Sequence, residues 1–600
     1  MSTVAVKQTY SSFRGVDFTS DPAIVNLSRS PDALNIWKNY EDTQGECIET
    51  RPGYQKIANF SGKIYGIYLY KGKAIIHSDS ILYLWNNFPS EPTEETKIIL
   101  KNDMNKQKTS FVIFDDKLYI LDGKNYLVYD DKDLKNVTDT QTYIPTTSIS
   151  REPNGGGEMY EDVNLLSPYR KNSFVADGKS VDYYLDATEI DEVSKVIVND
   201  VETTNYKVDK LKGKITFNTA PQAPTLSGID NIIVTFKKVV DGYIERIAKC
   251  SMALSFDRRL FFIGNPEYPN ALFHSKLNDP TYISDLAYYQ DGSNESSIKS
   301  IVVGNNILWV LKEPNQENET IFYHVPTYDS TSGKVYPSYQ GNISTGCYSE
   351  SINYKDDIVF LSRNGLEGIS SSDINSKQLL NHRSSLIDTK MINENNYNLS
   401  TMTEWKGYLL ILVNSTIFLA DMRQMYTGTD GYEYEWYYWR YDNDLICIMK
   451  EYEGKLYLGA EDGSIFIVNG TNDNGNAINS YWTTPMDNFG YLNKYKTTNK
   501  RGGVVKIKTI PNGRIKIAER TNKLAQSKKV KEFSSTGFDY GNIDYSNFAY
   551  TTTASSNVVY KIKEKKFAEL SLKFFSDELN KPFGIYSAIL EAFIGGYIKR

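Results

Sequence analysis

The sequence predicts a mainly β protein in which one hairpin pattern is repeated. The clearest copy is residues 454–468, where apolar residues alternate on two strands that flank Glu461-Asp462-Gly463. An Asp-Gly pair supplies the positive φ angles that a two-residue hairpin turn requires. Composition agrees with this fold class, because Tyr is unusually abundant at 46 residues and few long stretches have helical periodicity.

Seven copies of the hairpin align on one apolar position, at residues 74, 118, 260, 308, 359, 409 and 456. The intervals between them are 44, 142, 48, 51, 50 and 47 residues. A period in this range, with strands and no helices, is typical of a four-stranded propeller blade. We therefore predict a β-propeller of about seven blades, in preference to a series of unrelated hairpins in sandwich domains.

The stretches around the repeat complete the predicted organisation. Residues 1–60, rich in polar turn residues, are expected to form an extended N-terminal arm, and residues 61–133 and 248–480 hold the blades. The one long interval predicts an inserted β-domain over residues 134–247, which has strand patterns of its own. The repeat stops near residue 480, so residues 481–600 are expected to form a C-terminal β-domain.

Composition excludes several classes of protein. A net charge of −7 is small for 600 residues and argues against a protein that coats nucleic acid with its whole surface, although a local patch remains open. The four cysteines lie far apart, which favours reduced thiols over a disulfide scaffold or a zinc site. No stretch has the length of a signal-peptide core or a membrane span, so we expect a soluble chain without membrane insertion.

The motifs of catalysis are absent from the sequence. His77, His274, His324 and His382 are isolated, and none has a second histidine at the spacing of metal ligands. We find no Gly-x-Ser-x-Gly elbow, phosphate-binding loop or His-Glu-x-x-His pattern. The sequence therefore predicts no catalytic residue, no cofactor and no metal site, and the chain is not expected to be an enzyme.

A basic stretch near the C-terminus is the first candidate contact surface. Between Lys494 and Lys531 the chain has 13 Lys and Arg residues and one acid, Glu519. Three interpretations stay open: contact with DNA phosphates, contact with an acidic neighbouring subunit, or a solvated face. The candidate contact residues are Lys494, Lys496, Lys500, Arg501, Lys506, Lys508, Arg514 and Lys516.

An aromatic cluster at residues 432–439 is the second candidate surface. Its sequence is Tyr-Glu-Tyr-Glu-Trp-Tyr-Tyr-Trp. Trp436 and Trp439 would form a stacking platform for a sugar if they were exposed. The alternative interpretation, which we favour, is an outer propeller strand with packed aromatic side chains.

Several short structural motifs are spread over nearly the whole chain. They are Ser30-Pro31-Asp32-Ala33-Leu34-Asn35, Thr50-Arg51-Pro52-Gly53-Tyr54, Tyr206-Lys207-Val208-Asp209, Gly213-Lys214-Ile215-Thr216-Phe217 with Ala220-Pro221, residues 256–266 with His274-Ser275, residues 357–366, Trp482-Thr483-Thr484-Pro485 and Asp487-Asn488-Phe489-Gly490. Together these motifs resemble one protein family, the tail nozzle proteins of short-tailed bacteriophages (tail tubular protein B), and the related phage stabilisation proteins.

The resemblance implies a structural virion protein without enzymatic activity. Six copies would form a ring below the portal and adaptor, continue the channel for double-stranded DNA, retain and release the genome, and dock other tail proteins or fibres. The chain would be located in the virion tail after assembly in the host cytoplasm. The alternative hypothesis is a carbohydrate-binding or glycan-cleaving propeller that acts in host receptor recognition, and it depends on the aromatic cluster.

Overall fold

We describe the chain from a computed structural model. The described residues are 4–41, 46–317, 319–330, 333–341, 344–369, 380–428, 431–523, 530–534 and 555–598. Nearly all regular structure in them is β, with two short α-helices at Tyr243–Ala248 and Asp388–Met391 and two 3₁₀ turns at Val137–Asp139 and Tyr397–Leu399. The prediction of a mainly β protein is confirmed.

Each copy of the predicted hairpin lies in a four-stranded sheet, and its aligned apolar residue is always on the second strand. We number these sheets in chain order. Sheet 1 is Ile64–Tyr70, Lys73–Ser78, Ile81–Trp85 and Lys97–Lys101; sheet 2 is Ser110–Phe114, Lys117–Leu121, Tyr126–Tyr129 and Leu134–Asn136; sheet 3 is Met252–Phe256, Arg259–Ile263, Ala271–His274 and Tyr288–Gln290; sheet 4 is Ile298–Gly304, Ile307–Lys312, Ile321–His324 and Ser338–Gln340.

The remaining three repeat sheets follow after residue 350. Sheet 5 is Ser351–Tyr354, Asp357–Ser362, Gly365–Ile369 and Leu380–His382; sheet 6 is Thr401–Trp405, Tyr408–Val413, Thr416–Gly428 and Gly431–Arg440; sheet 7 is Ile446–Tyr452, Lys455–Ala460, Ser464–Val468 and Tyr54–Asn59. The fourth strand of sheet 7 thus comes from the N-terminal region and pairs antiparallel with Ser464–Val468.

The chain divides into two compact units. Unit 1 contains Met1–Ala74, Trp85–Lys97 and Cys347–Arg600, and therefore sheets 5 to 7 and both C-terminal sheets. Unit 2 contains Ile75–Leu84 and Ile98–Gly346, and therefore sheets 2 to 4 and the insertion. Within each unit the first strands of successive sheets are neighbours: those of sheets 5, 6 and 7 in unit 1, and those of sheets 2, 3 and 4 in unit 2.

The insertion in unit 2 forms two small sheets around its own core. One has the order Glu158–Met159, Thr146–Arg151, Tyr169–Phe174, Ile232–Lys237, Glu192–Val198 and Val201–Glu202, and the other the order Asp182–Tyr184, Lys214–Phe217 and Tyr206–Asp209. Aromatic and branched side chains from both sheets, including Phe174, Tyr183, Ile215 and Val234, are buried together. A separate hairpin, Thr327–Asp329 with Gly333–Val335, precedes the last strand of sheet 4.

The C-terminal region in unit 1 contains two further sheets that take strands from both ends of the chain. Sheet 8 has the order Ile36–Asn39, Cys47–Thr50, Gly584–Tyr597, Lys494–Lys508 and Ser555–Tyr560, with Val4–Tyr10 beside Gly584–Tyr597 and Lys565–Phe567 beside Lys494–Lys508. Sheet 9 has the order Asp32–Leu34, Ser480–Thr483, Leu570–Ser576, Arg514–Thr521 and Lys531–Ser534. Residues 1–60, predicted as an extended arm, supply five strands to sheets 7, 8 and 9.

Alternating side chains of sheets 8 and 9 form a common core. Val505 and Leu590 of sheet 8 are buried in the same cluster as Ile517 and Phe574 of sheet 9. Burying large aliphatic and aromatic side chains contributes roughly 1.5–3 kcal/mol each, so this cluster is a main source of stability for the C-terminal region. The N-terminal strands are consequently held by both hydrogen bonds and packing.

Candidate functional site

Arg51 joins the N-terminal segment to sheet 6 and to the loop after sheet 7. Its guanidinium is fully buried and donates through Nη1 to Asp473 Oδ1 at 2.8 Å and through Nη2 to Asp473 Oδ2 at 2.6 Å. The remaining N–H groups reach Asn35 Oδ1 at 2.9 Å and the carbonyls of Pro52 and Arg440 at 3.0 and 3.1 Å. All five donors are therefore used, as a buried charge requires.

One further contact helps to keep this guanidinium charged. The guanidinium lies over the ring of Tyr441, with 4.4 Å between Cζ and the ring centroid. Burial alone would lower the pKa of Arg51, but Tyr441 and the paired carboxylate of Asp473 outweigh burial and raise it. Arg51 therefore acts as a fixed five-donor clamp and not as a group that exchanges protons.

Asn35 connects the Arg51 guanidinium to sheets 6 and 9. Its backbone adopts φ +55°, which turns the chain between Asp32–Leu34 and Ile36–Asn39. Its amide Nδ2 donates to the carbonyl of Asn479 at 2.8 Å, and its Oδ1 also accepts from the backbone N–H of Arg440 at 2.9 Å. One small side chain thus connects three chain segments.

Hydroxyl groups make three more links across the same region. Ser30 Oγ donates to the carbonyl of Thr483 at 2.7 Å. Thr50 Oγ1 and Ser480 Oγ are 3.0 Å apart, and the Tyr10 hydroxyl donates to Asp487 Oδ2 at 2.8 Å. We call the set Asn35, Arg51 and Asp473, with these hydroxyl links, the Arg51 joint.

A cleft of about 580 Å³ lies beside this joint within unit 1. Two of its lysines are paired with acids: Lys508 lies 2.5 Å from Glu49, and Lys406 lies 2.7 Å from Glu41. Prolines and two buried tryptophans contribute carbon surface. The lining residues include Trp37, Glu49, Arg51, Pro52, Trp405, Lys406, Lys455, Lys508, Pro511 and Pro582. The cleft therefore carries little net charge.

The predicted contact residues of the basic stretch divide into two groups. Those of the first group already have partners within the chain. Lys496 is fully buried and donates to the carbonyls of Ala568, at 2.7 Å, and Tyr491. Burial lowers its pKa. Lys496 is not available to DNA or to another subunit, so that prediction is wrong for this residue.

Three more members of the stretch have acidic partners. Lys508 pairs with Glu49, as described above. Lys516 lies 2.6 Å from Asp577 and 2.8 Å from Glu578, and Arg514 lies 3.0 Å from Glu578. These cations stabilise the C-terminal region internally, and their charge is largely neutralised before any partner arrives.

The second group faces solvent. Lys500, Arg501 and Lys506 are exposed, and the ammonium of Lys506 lies 5.3 Å from the ring centroid of Tyr586. Lys494 is half-buried between the rings of Tyr491 and Tyr597, at 5.0 and 5.4 Å. Four lysines that sequence reasoning missed, Lys561, Lys563, Lys565 and Lys566, lie beside Lys500 and Arg501. The alternation of Lys561, Ile562 and Lys563 in the sequence could have indicated that these lysines share an exposed face.

The two tryptophans of the aromatic cluster are core residues. Trp436 and Trp439 are fully buried, and their indole N–H groups donate to the carbonyls of Arg383 and Ile36 at 3.0 and 3.2 Å. They do not form a sugar platform, because neither ring has an exposed face. The favoured interpretation of packed aromatic side chains is confirmed for Tyr434 to Trp439, whereas the side chains of Tyr432 and Glu433 lie outside the described residues.

The histidines sit in internal polar networks. His382 Nδ1 lies 3.1 Å from Glu367 and its Nε2 lies 2.6 Å from Asp388. Burial alone would lower the pKa of His382, but hydrogen bonds to Asp388 and Glu367 outweigh it and raise the pKa to about 10. A histidine held charged in this way is not a general base at neutral pH. His324 is fully buried, with its Nε2 3.0 Å from Asp291.

The described residues offer neither a metal cluster nor a membrane-spanning helix. No group of three or more His, Cys, Asp or Glu side chains in that part of the chain is placed to hold a metal ion. None of the helices described above has the length and apolar character needed to cross a membrane.

Comparisons with known proteins show only distant likeness. No protein-family model matches the chain, and no curated protein matches it. Among solved structures, BamB from Moraxella catarrhalis is 11% identical, with 70% of this chain and 97% of that chain covered and a TM-score of 0.32. The computationally designed Ika8 protein is 10% identical, with coverage of 69% and 99% and a TM-score of 0.28.

A third similar structure is a catalytically inactive virginiamycin B lyase from Staphylococcus aureus with quinupristin. It is 13% identical, with 69% of this chain and 97% of that chain covered and a TM-score of 0.24. TM-scores this low do not identify a shared overall structure. No property of these proteins is therefore carried over to this chain.

Proposed function

We propose that this chain is a structural protein of a bacteriophage tail, a nozzle subunit that forms a ring below portal and adaptor. The observation that carries the proposal is the Arg51 joint. Two motifs of the family resemblance from residues 30–54 and two from residues 482–490, more than 400 residues further on, meet there through Ser30, Asn35, Thr50, Arg51 and Asp487. The residues that resemble the family therefore build a mechanical connection and not a reactive centre.

We further propose that sheets 1 to 7 are the blades of one seven-bladed β-propeller. The neighbouring first strands of successive sheets in each unit support this arrangement. Sheet 7 supports it as well, because it combines strands from both ends of the repeat region, Tyr54–Asn59 with Ser464–Val468. A rigid scaffold of short, covered strand edges suits a subunit that must withstand genome release.

The proposed ring requires only one kind of contact between subunits. A heterologous contact repeated by a closing rotation generates a ring, and the insertion and the C-terminal sheets are the parts of this chain that extend beyond the repeat. Six copies would surround a channel for double-stranded DNA, with portal, adaptor and other tail proteins or fibres as partners. The subunit would be made in the host cytoplasm and end in the virion tail, without catalytic activity.

Imaging tests the proposal directly. The purified chain is mixed with the portal and adaptor proteins of the same virion and examined by cryo-electron microscopy and native mass spectrometry. We expect rings of six copies with a central channel, docked on the adaptor. A mixture with an unrelated portal protein is the control for nonspecific association. A chain that stays monomeric with its own portal and adaptor would refute the proposal.

A further inference from the structure

Six exposed cations come together at one edge of sheet 8. Four of them form what we call the lysine ridge: Lys561, Lys563, Lys565 and Lys566. Along this ridge the exposed lysines alternate with the buried side chain of Ile562, as in an extended strand. Lys566 has φ +51°, which breaks the alternation, so that Lys565 and Lys566 are both exposed before Phe567 is buried.

The other two cations, Lys500 and Arg501, occupy a bulge in the strand Lys494–Lys508, which we call the basic bulge. Thr498 pairs with Ala592, and Gly503 pairs with Leu590; both partners lie on the neighbouring strand Gly584–Tyr597. Residues 499–502 therefore lie opposite the single residue Glu591, and the extra residues are displaced from the ladder. The Asn499 amide donates to Glu591 Oε2 at 2.9 Å and holds the base of the bulge.

The lysine ridge and the basic bulge lie on neighbouring segments of sheet 8. Thr497 pairs with Lys565 and Gly503 pairs with Tyr560, so residues 498–502 lie opposite residues 561–564. Between these pairs, the backbone N–H of Thr498 donates to the carbonyl of Glu564 at 3.0 Å, and the N–H of Glu564 donates to Thr498 Oγ1 at 3.0 Å. The two basic segments are thus held side by side by direct hydrogen bonds.

The six cations are not neutralised within the described part of the chain. None of them has an ion pair there, in contrast to Lys508, Arg514 and Lys516 of the same region. The adjacent acids are Glu564, between two ridge lysines, and Glu591, which already accepts from Asn499. The wider charge distribution agrees: residues 481–600 contain 21 Lys and Arg but 10 Asp and Glu, although the whole chain has a net charge of −7.

The composition of the patch favours phosphate over a protein partner. Protein–protein interfaces are depleted in Lys and rely on aromatic, Met and Arg anchors, whereas five of these six cations are Lys and none of the six positions is aromatic. Lys contacts phosphate as a point charge. From Lys561 to Lys565 the ridge spans roughly 13 Å at about 3.3 Å per residue, so its charges are spread along a line, as contact with more than one phosphate of a duplex requires.

We propose that the lysine ridge and the basic bulge bind the phosphodiester backbone of nucleic acid without preference for base sequence. The site goes beyond the proposed function and does not require a ring, because all six cations belong to one chain. Double-stranded DNA is the form that we test. Recognition would be electrostatic, and its affinity would fall steeply as the salt concentration rises.

The test is a fluorescence-anisotropy titration of the full-length chain with two 30-base-pair DNA duplexes of different sequence, at several salt concentrations. We expect both duplexes to bind equally, with a slope of log K against log [salt] of about −5 for six contacted phosphates. The ridge variant carries Lys561→Gln, Lys563→Gln, Lys565→Gln and Lys566→Gln. Its slope should be shallower by about 3 to 4 and its affinity at 100 mM salt at least about tenfold lower.

A matched control removes the same charge elsewhere. It carries Lys117→Gln, Lys132→Gln, Lys179→Gln and Lys207→Gln, all at exposed positions of unit 2, and should bind like the unmodified chain. The bulge variant, Lys500→Gln with Arg501→Gln, tests the second half of the patch and should make the slope shallower by about 2. Thermal melting of every variant separates lost binding from lost folding.

Four results would overturn the proposal. The first is absence of DNA binding by the unmodified chain at 50 mM salt, and the second is equal binding by the ridge variant and the control. The third is tighter binding of polyglutamate than of DNA, which would assign the patch to an acidic protein. The fourth is loss of self-association by the ridge variant in sedimentation velocity with unchanged DNA binding, which would assign the patch to contact between copies. The first three results leave ring formation with portal and adaptor untouched, so they are distinguishable from a failure of the proposed function.

Discussion

Arg51 and Asp473 form a two-point ion pair in the interior of unit 1, although 422 residues separate them in the chain. The parallel geometry uses the planar fork of the guanidinium, which a lysine does not possess. The pair joins the segment before sheet 7 to the loop after it. Residues at both ends of a long repeat are thus fixed to each other by one charged contact.

Replacing Arg51 should be among the most destabilising changes in unit 1. Arg51→Met leaves the Asp473 carboxylate buried without its partner, which is expected to cost about 3–5 kcal/mol. Arg440→Met is the matched control, because Arg440 pairs with Asp442 at the surface, with both side chains more than half exposed; it should cost less than about 1 kcal/mol. Urea unfolding followed by tryptophan fluorescence measures both, and equal costs would contradict the assigned role of the joint.

Two glycines of the sheet 7 hairpin give a test of local packing. Gly463 has φ +88°, and a Cβ there would overlap the carbonyl of Phe60, whose N–H donates to the Gly463 carbonyl at 2.8 Å. Gly454 has φ +77° with open space around it. Both Ala variants strain the backbone, but Gly463→Ala should cost at least about 1 kcal/mol more because it also overpacks. Thermal melting of both variants under identical conditions measures this difference. A larger loss of stability for Gly454→Ala would contradict the prediction.

The stability of the protein should depend on pH through the deprotonation of His382. Its pKa is raised to about 10 in the folded chain, against about 6.5 when unfolded. The stabilisation is therefore complete below pH 6.5, declines as the pH rises, and is lost as the pH passes through about 10. Melting curves between pH 6 and 10.5 should show this decline for the unmodified chain but a weaker one for His382→Gln. NMR titration of the His382 ring supplies the direct check: a midpoint near 6.5 would refute the two-carboxylate geometry.

The buried aromatic cluster gives a stability prediction that also bears on sugar binding. Trp436→Ala should cost about 3–5 kcal/mol, because it leaves a large cavity and removes the hydrogen bond to Arg383. Tyr328→Ala is the control, since the Tyr328 side chain is 80% exposed, and should change stability by less than about 0.5 kcal/mol. Glycan-array binding that disappears in Trp436→Ala without any loss of stability would contradict the core assignment.

The repeat was predictable because the first three strands of each repeat sheet follow one another closely in the chain. Leu118 and Leu456 stand at equivalent second-strand positions of sheets 2 and 7, and the period of the apolar pattern alone places them there. Partners across long distances were not predictable. Val4–Tyr10 shows an ordinary strand pattern, which carries no information that its partner is Gly584–Tyr597.

The face of the strand on which each charged side chain lies could not be predicted, for a related reason. In the strand Lys494–Lys508, inward positions are even before the bulge, at 496 and 498, and odd after it, at 503, 505 and 507. A bulge shifts the register, so alternation counted from one end assigns the wrong face at the other. Lys496 and Lys506 were grouped by composition alone, and the register shift places the first in the core and the second in solvent.

The pairing of Val4–Tyr10 with Gly584–Tyr597 has a consequence for how the protein is made. On the ribosome, Val4–Tyr10 is synthesised long before its partner and stays unpaired until the intervening sequence has been made. Contacts this far apart in sequence form slowly, and waiting strands are prone to pair wrongly. Completion of sheet 8 is therefore a late event, and a chain that stops before residue 584 would leave Val4–Tyr10 without its partner strand.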